Sequence, residues 1–87
     1  MKHATVQALD ALEPLLAELR TLGGMKEKKR GVFYVKSRAF LHFHEDPAGL
    51  FCDVRLDLPS DFERFAVNTS AERRRLLERV ARTLAPV

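Results

Sequence analysis

The chain has no tryptophan, a single cysteine, and only four glycines and four prolines among its 87 residues. With Cys52 alone, no intramolecular disulfide can form, which removes the stapled secreted scaffolds and suits a reducing cytoplasm. No window approaches the ~20 apolar residues of a transmembrane helix. The opening Met1-Lys2-His3 leads into a stretch broken by Asp10 and Glu13, unlike the apolar region of a signal peptide. A soluble, cytoplasmic protein with no membrane partner is therefore expected. There is no glycine-rich phosphate loop, because Gly23-Gly24 follows a helical pattern instead of joining a strand to a helix, and nucleotide chemistry falls away. Internal repeats and low-complexity tracts are absent too.

What is present describes one small domain. Hydrophobic residues make up 46% of the chain, a globular proportion. A chain this short buries only roughly 60% of the surface it exposes when unfolded. With no disulfide available, a partner subunit is a natural supplement, and a homodimer is the expected assembly. Ala8, Leu12, Leu15, Leu16, Leu19 and Leu22 recur at helical spacing. Pro14 disfavours an uninterrupted helix, so the main helix is placed from about residue 10, with Asp10 as cap, Glu13 closing the box and Gly23-Gly24 as terminator. Residues 26 to 30 read as a polar, basic connector. Three strands follow, Gly31 to Lys36, Ala39 to Glu45 and Leu50 to Leu56, with the turn Asp46-Pro47-Ala48-Gly49 between the last two. Asp57 to Asp61 reads as a loop. Phe62 to Val67 alternates as a fourth, edge strand, or forms a short helical turn capped by Ser60. Thr69-Ser70-Ala71-Glu72 is a capping box, and Ala71, Leu76, Leu77, Val80, Ala81 and Leu84 form the stripe of a last helix reaching Pro86. The fold class is α+β, a three- to four-stranded antiparallel meander between an N-terminal and a C-terminal helix.

The chemistry-bearing segment is Phe40-Leu41-His42-Phe43-His44-Glu45-Asp46. Alternation sets Phe40, His42 and His44 on one face and Leu41 and Phe43 on the other. If Glu45 opposes Leu50 across the Asp46–Gly49 turn, His44 faces Phe51, His42 faces Asp53 and Phe40 faces Arg55, while Phe43 meets Cys52 and Leu41 meets Val54 on the core side. A three-residue turn at residues 36 to 38 brings Phe33 and Val35 to that core side and adds Tyr34 to the outer one. On the outer face, His42 and His44 can ligate a metal with Asp53 or Asp46 as an oxygen donor. No second cysteine exists, and the only other histidine is His3, expected to be mobile near the N-terminus. A second use is a His42–Asp53 pair acting as oriented base or polar group in a small-molecule pocket walled by Phe40, Phe51 and Tyr34, with Arg55 beside it. No nucleophile accompanies it: Cys52 points into the core, and Ser37 and Ser60 lie in turns. The plainest use is a cross-strand His42–Asp53 contact on a half-exposed face, with Phe40 and Phe51 covered by a second subunit.

Two segments are basic. Lys26, Lys28, Lys29 and Arg30 precede the first strand, and Arg73, Arg74, Arg75, Arg79 and Arg82 line the last helix. Both can bracket a phosphate backbone, with Arg74 and Arg75 as helix contacts. Yet 12 acidic residues are mixed with the 15 basic ones, leaving a net charge of only +3, and Glu72 and Glu78 lie within pairing distance on the helix.

The runs Glu27-Lys28-Lys29-Arg30-Gly31-Val32-Phe33-Tyr34 and Arg38-Ala39-Phe40-Leu41-His42-Phe43-His44-Glu45-Asp46 resemble a small family of uncharacterised bacterial proteins to which no activity attaches. Over residues 10 to 56, a leucine-rich helix, a glycine turn and an aromatic hairpin are similar in outline to MmcQ/YjbR-like domains, whose fold has been compared with DNA-binding winged modules. The tryptophan landmark of those domains is missing here, so the resemblance implies an α+β fold and carries no functional residue. The sequence is thus read as a small binding or interaction module that self-associates through its sheet face and needs no cofactor. The alternatives are nucleic-acid binding, and a metal or small-molecule site around His42, His44 and Asp53.

Overall fold

A computed structural model describes residues 2–57 and 61–85, with backbone only for Lys2. The element order is β1 (Lys2–His3), α1 (Val6–Arg20), β2 (Lys26–Lys29), β3 (Val32–Val35), β4 (Arg38–Asp46), β5 (Gly49–Val54), β6 (Glu63–Ala66) and α2 (Ser70–Leu84). Strands β2 to β6 pair in chain order as an antiparallel meander, and β1 pairs with β4. The α+β class with a helix on either side of the meander in sequence is as the sequence indicates. Residues 58–60, in the expected loop, and the Pro86 helix end lie outside the described residues. Among the described residues no helix is long and apolar enough to cross a membrane.

The first helix starts earlier than the proline suggested. Thr5, not Asp10, is the N-cap, its side chain accepting from the Ala8 amide, and Pro14 sits within the helix. Its tolerance has a local reason. Pro14 and Asp10, whose carbonyl loses its helical donor, are both exposed, so water can take the place of the missing amide. Ala8, Leu12, Leu15, Leu16 and Leu19 form the buried stripe as the spacing required. At the other end, α2 carries the expected capping box: Thr69 accepts from the Glu72 amide, and Glu72 accepts from the Thr69 and Asn68 amides. Those two amides hold the Glu72 carboxyl below its ordinary pKa.

The basic connector is instead a strand. Lys26-Glu27-Lys28-Lys29 pairs with β3, leaving its lysines exposed along the sheet edge and turning Glu27 inward. Lysine on an edge strand discourages pairing with another chain, which is why a segment with no apolar pattern can still be a strand. Glu27 accepts from the Gly31 amide at 2.9 Å and from Arg20 Nε at 2.7 Å. Arg20 also reaches Glu13, and Arg30 reaches Glu13 and Asp10, so an ion-pair network ties α1 to the first hairpin.

The second hairpin differs in one detail with a large consequence. Its turn has two residues, Lys36 and Ser37, both with positive φ (49° and 69°), the backbone of a twist-matched hairpin turn. Tyr34 then opposes Ala39 while Phe33 opposes Leu41, so one extra residue, Phe40, is accommodated on β4 as a bulge. The bulge re-aims the side chain. Phe40 is only 2% exposed and belongs to the same core as Leu41, Phe43, Phe33, Cys52, Val54, Val67, Leu12, Leu15, Leu16, Leu19, Leu76 and Val80. The expectation that Phe40 lies on the outer face for a partner subunit is therefore corrected, whereas Phe33 and Val35 do reach the core. Replacing a fully buried phenylalanine by alanine removes its transfer free energy and leaves a cavity. Phe40→Ala is expected to lower the unfolding free energy by about 3–5 kcal/mol in urea titration. Phe51→Ala, at a half-buried position, is expected to cost clearly less; equal losses would contradict this placement.

Candidate metal centre

The β4–β5 ladder has the register the alternation requires: Leu41 opposite Val54, His42 opposite Asp53, Phe43 opposite Cys52, His44 opposite Phe51 and Glu45 opposite Leu50. On the next strand Asp53 opposes Arg64 and Phe51 opposes Ala66. Residues directly opposite share a face, so the sheet side turned away from the core carries two rows. One is His42, Asp53, Arg64. The other is His3, His44, Phe51, Ala66, because β1 places His3 directly opposite His44. His3 is thus held in a strand and not mobile as expected. The Ala4 amide donates to the Phe43 carbonyl, and the Thr5 amide to the Glu45 carboxylate, which fix the segment just ahead of the helix start.

Three imidazoles converge. The His42 and His44 rings are 4.6 Å apart by centroids and nearly perpendicular, and His3 stacks on His44 at 5.1 Å. One ligand nitrogen from each lies within 4.8 Å of the other two. Tetrahedral ligands about zinc stand about 3.4 Å apart, given Zn–N bonds near ~2.05 Å. A bound ion would have to draw these nitrogens together by side-chain rotation, and the His3 side chain is exposed. His42 Nδ1 and His44 Nδ1 are both sealed from water, with no hydrogen-bond partner among the described residues.

Asp53 organises the centre without joining it. It is 7% exposed and accepts from Arg64 through both oxygens, Nε to Oδ1 at 2.7 Å and Nη2 to Oδ2 at 2.9 Å. His44 Nε2 lies 3.2 Å from Oδ2. A proton on Nε2, facing this carboxylate, would leave the lone pair on Nδ1, which has no hydrogen-bond partner among the described residues. Arg64 holds the Asp53 carboxyl below its usual pKa, against the opposing effect of burial. Burial first, then the neighbouring His44, lowers the pKa of His42, so its imidazole is neutral at pH 7.

The other nominated residues distribute as follows. Asp53 contacts His44, and its anticipated bond to His42 is not formed among the described residues. Arg55 stays on the outer face, its guanidinium 4.4 Å from the Phe62 ring centroid, and Phe62 in turn lies 4.8 Å from His42. Phe51 is half-buried beside His44. Tyr34 opposes Ala39 near the far end of β4, with the Lys28 ammonium 5.1 Å above its ring, and is not part of the cluster. Cys52 is fully buried, with its thiol pKa raised by that burial, as an inert core residue should be. Of the basic residues, Arg30 is engaged by Asp10 and Glu13, and Arg73 donates to the Val67 carbonyl. Lys26, Lys28 and Lys29 lie on the β2 edge, whereas Arg74 and Arg75 are exposed early in α2, which packs on β6 at the opposite edge.

Sequence reasoning set His3 aside as mobile and missed Arg64 and Phe62. The alternation over residues 62–66 already set Phe62 and Arg64 on one face, and pairing that strand with the one containing Asp53 would have found Arg64. A two-residue strand leaves no pattern to find His3. Comparison of the chain with protein-family models, with curated proteins and with solved structures finds no match in any of the three.

Asp53 titrates lower in the folded state than in the unfolded chain, so its stabilising contribution is complete above the unfolded value near ~4 and is lost as pH falls through the folded one. Removing Arg64 removes the main cause. In metal-free protein, Arg64→Gln is expected to flatten the rise of urea stability with pH in the acid range below the ordinary aspartate value of about 4. An unaltered slope would show that this ion pair contributes nothing.

Proposed function

We propose that the protein is a small metal-binding domain that holds one divalent transition-metal ion, of the zinc or copper class, on the open face of its sheet. His3, His42 and His44 are the ligands, and Asp53 is the carboxylate that orients His44. The observation that carries this reading is the convergence of three imidazoles, two of which bury an Nδ1 with no partner among the described residues. A buried acceptor without a donor is costly, and bound metal is a standard way to satisfy it. Imidazole donors suit zinc, copper and nickel, and the ligand set contains no thiolate and no directly ligating carboxylate to favour softer or harder ions. His44 on Asp53 on Arg64 reproduces the chain of support that metal-ligating histidines ordinarily have.

A second reading, self-association, is favoured by one feature: Phe51 stays half-buried on a face that neither core-packed helix covers. The same measurement reads both. Native mass spectrometry of chelator-treated protein given zinc is expected to show one ion per chain, and the subunit count appears in the same spectrum. By calorimetry, His42→Ala and His44→Ala are expected to weaken zinc by at least as much as Asp53→Asn, for which loss of the supporting carboxylate predicts roughly 10- to 100-fold. Zinc bound equally well by wild type and His42→Ala, or by neither, would rule the centre out.

A further inference from the structure

The basic residues of the first two hairpins form a patch with no neutralising partner. Lys26 lies opposite Tyr34 and Lys29 opposite Val32, so both stand on the sheet side that carries Tyr34. Lys28 holds its ammonium 5.1 Å from the centre of the Tyr34 ring. Lys36 is exposed in the turn that follows β3, and Arg38 is exposed where β4 begins. None of these five cations makes an ion pair among the described residues. The one carboxylate of β2, Glu27, is turned inward to Arg20 and the Gly31 amide. The chain has 15 basic and 12 acidic residues, so without these five the other ten basic residues are outnumbered by the acids. The net positive charge of the protein thus belongs to one corner of its sheet, the electrostatic footprint of a polyanion site.

Two further features choose the polyanion. Tyr34 is partly exposed amid the cations, and Ala39, directly opposite it on β4, is too small to cover the ring. An aromatic ring open to solvent among cations offers a base a stacking platform with its phosphates held alongside. Stacking of this kind requires a base that is not already stacked within a duplex. A membrane surface is the poorer match, because among the described residues the one large apolar side chain that is exposed is Val6, at the start of α1 and outside the patch.

We infer that the protein binds single-stranded nucleic acid at this corner, with a base stacked on Tyr34 and the neighbouring phosphates on Lys26, Lys28, Lys29, Lys36 and Arg38. Lys28 exchanges the ring for a phosphate oxygen as the base arrives, a move its flexible stem permits. Contacts to phosphates and to a π-face carry no base identity, so the site tolerates many sequences. It is separate from the histidine cluster and does not depend on a metal.

Labelled oligothymidylate of about 12 nucleotides, within the span of one compact site, tests this by anisotropy with the chelator-treated chain at several salt concentrations. Affinity is expected to fall with salt at a log–log slope of about −2 to −3.5, given roughly 0.7 per phosphate contact for three to five contacts. Tyr34→Ala is expected to weaken binding about fivefold or more at fixed salt while keeping that slope, and Tyr34→Phe, which retains a stacking ring, to bind as wild type. Lys26→Gln combined with Lys28→Gln is expected to make the slope shallower by about 1.4. Tyr34 is the only tyrosine and there is no tryptophan, so its fluorescence reports the stack directly and is expected to be quenched at saturation. Inorganic polyphosphate, which has charge and no bases, is expected to bind without that quenching and with no loss in Tyr34→Ala. Oligothymidylate bound equally well by wild type and Tyr34→Ala, or bound without quenching, overturns the inference and leaves a plain cationic patch. Absence of binding at low salt, or tighter binding to phosphatidylserine vesicles than to the oligonucleotide, overturns it outright. Should Tyr34→Ala fail to fold by circular dichroism, Tyr34→Leu, which keeps apolar bulk and loses the ring, takes its place. None of these outcomes bears on zinc.

Discussion

The antiparallel pairing of β4 with β5 is the constraint on which the rest of this structure depends. Because side chains alternate, one register decides at once that Leu41, Phe43, Cys52 and Val54 enter the core and that His42, His44 and Asp53 do not. A slip of one residue would turn one strand over, burying either two imidazoles or the Asp53 carboxylate in the core and exposing that strand's two apolar groups. Hydrophobic burial on one side thus holds a polar cluster together on the other. The leucine stripe of α1 and the Leu76–Val80 side of α2 act on the histidines only through that sheet.

The same logic explains which parts of the molecule were legible in the sequence. The β4–β5 register was readable because the hydrophobic alternation and the Asp-Pro-Ala-Gly turn agree with each other. The capping box of α2 was readable because it is a local motif with its own hydrogen bonds. Phe40 was not, since a bulge answers to the turn at Lys36-Ser37, where two residues that ordinarily avoid positive φ adopt it. Lys26 to Lys29 was not, because its strand character comes from the partner strand and from nothing in its own composition. Thr5 displaced Asp10 as cap for a related reason: the early turn of α1 is held by contacts with β4, which outweigh the cost of Pro14.

Half of the candidate centre was visible and half was long-range. His42 and His44 at alternate positions of one strand declare a shared face, and Asp53 follows from the register. Its partner assignment is subtler. Directly opposite residues are the natural expectation for a cross-strand bond, yet the diagonal neighbour His44 takes Asp53, and Arg64 approaches from the far strand. The carboxylate is therefore shared between a cation and an imidazole, and His42 is left to burial and to its aromatic neighbour Phe62.

His3 gives the cluster a property that a bare His-x-His pair lacks. Two imidazoles on one strand sit at a separation set by the pleat, and neither can be removed without disturbing the core strand. The third comes from a two-residue strand whose hold on β4 rests on few bonds. Any ion bound by all three would couple the docking of that segment to its own occupancy, because the free energy of binding is spent partly on ordering the ligand that arrives last. The helix cap at Thr5, two residues further on, shares the contact with Glu45. Metal occupancy would in this way be linked to the first turn of α1, a coupling that a site built wholly within the hairpin would lack.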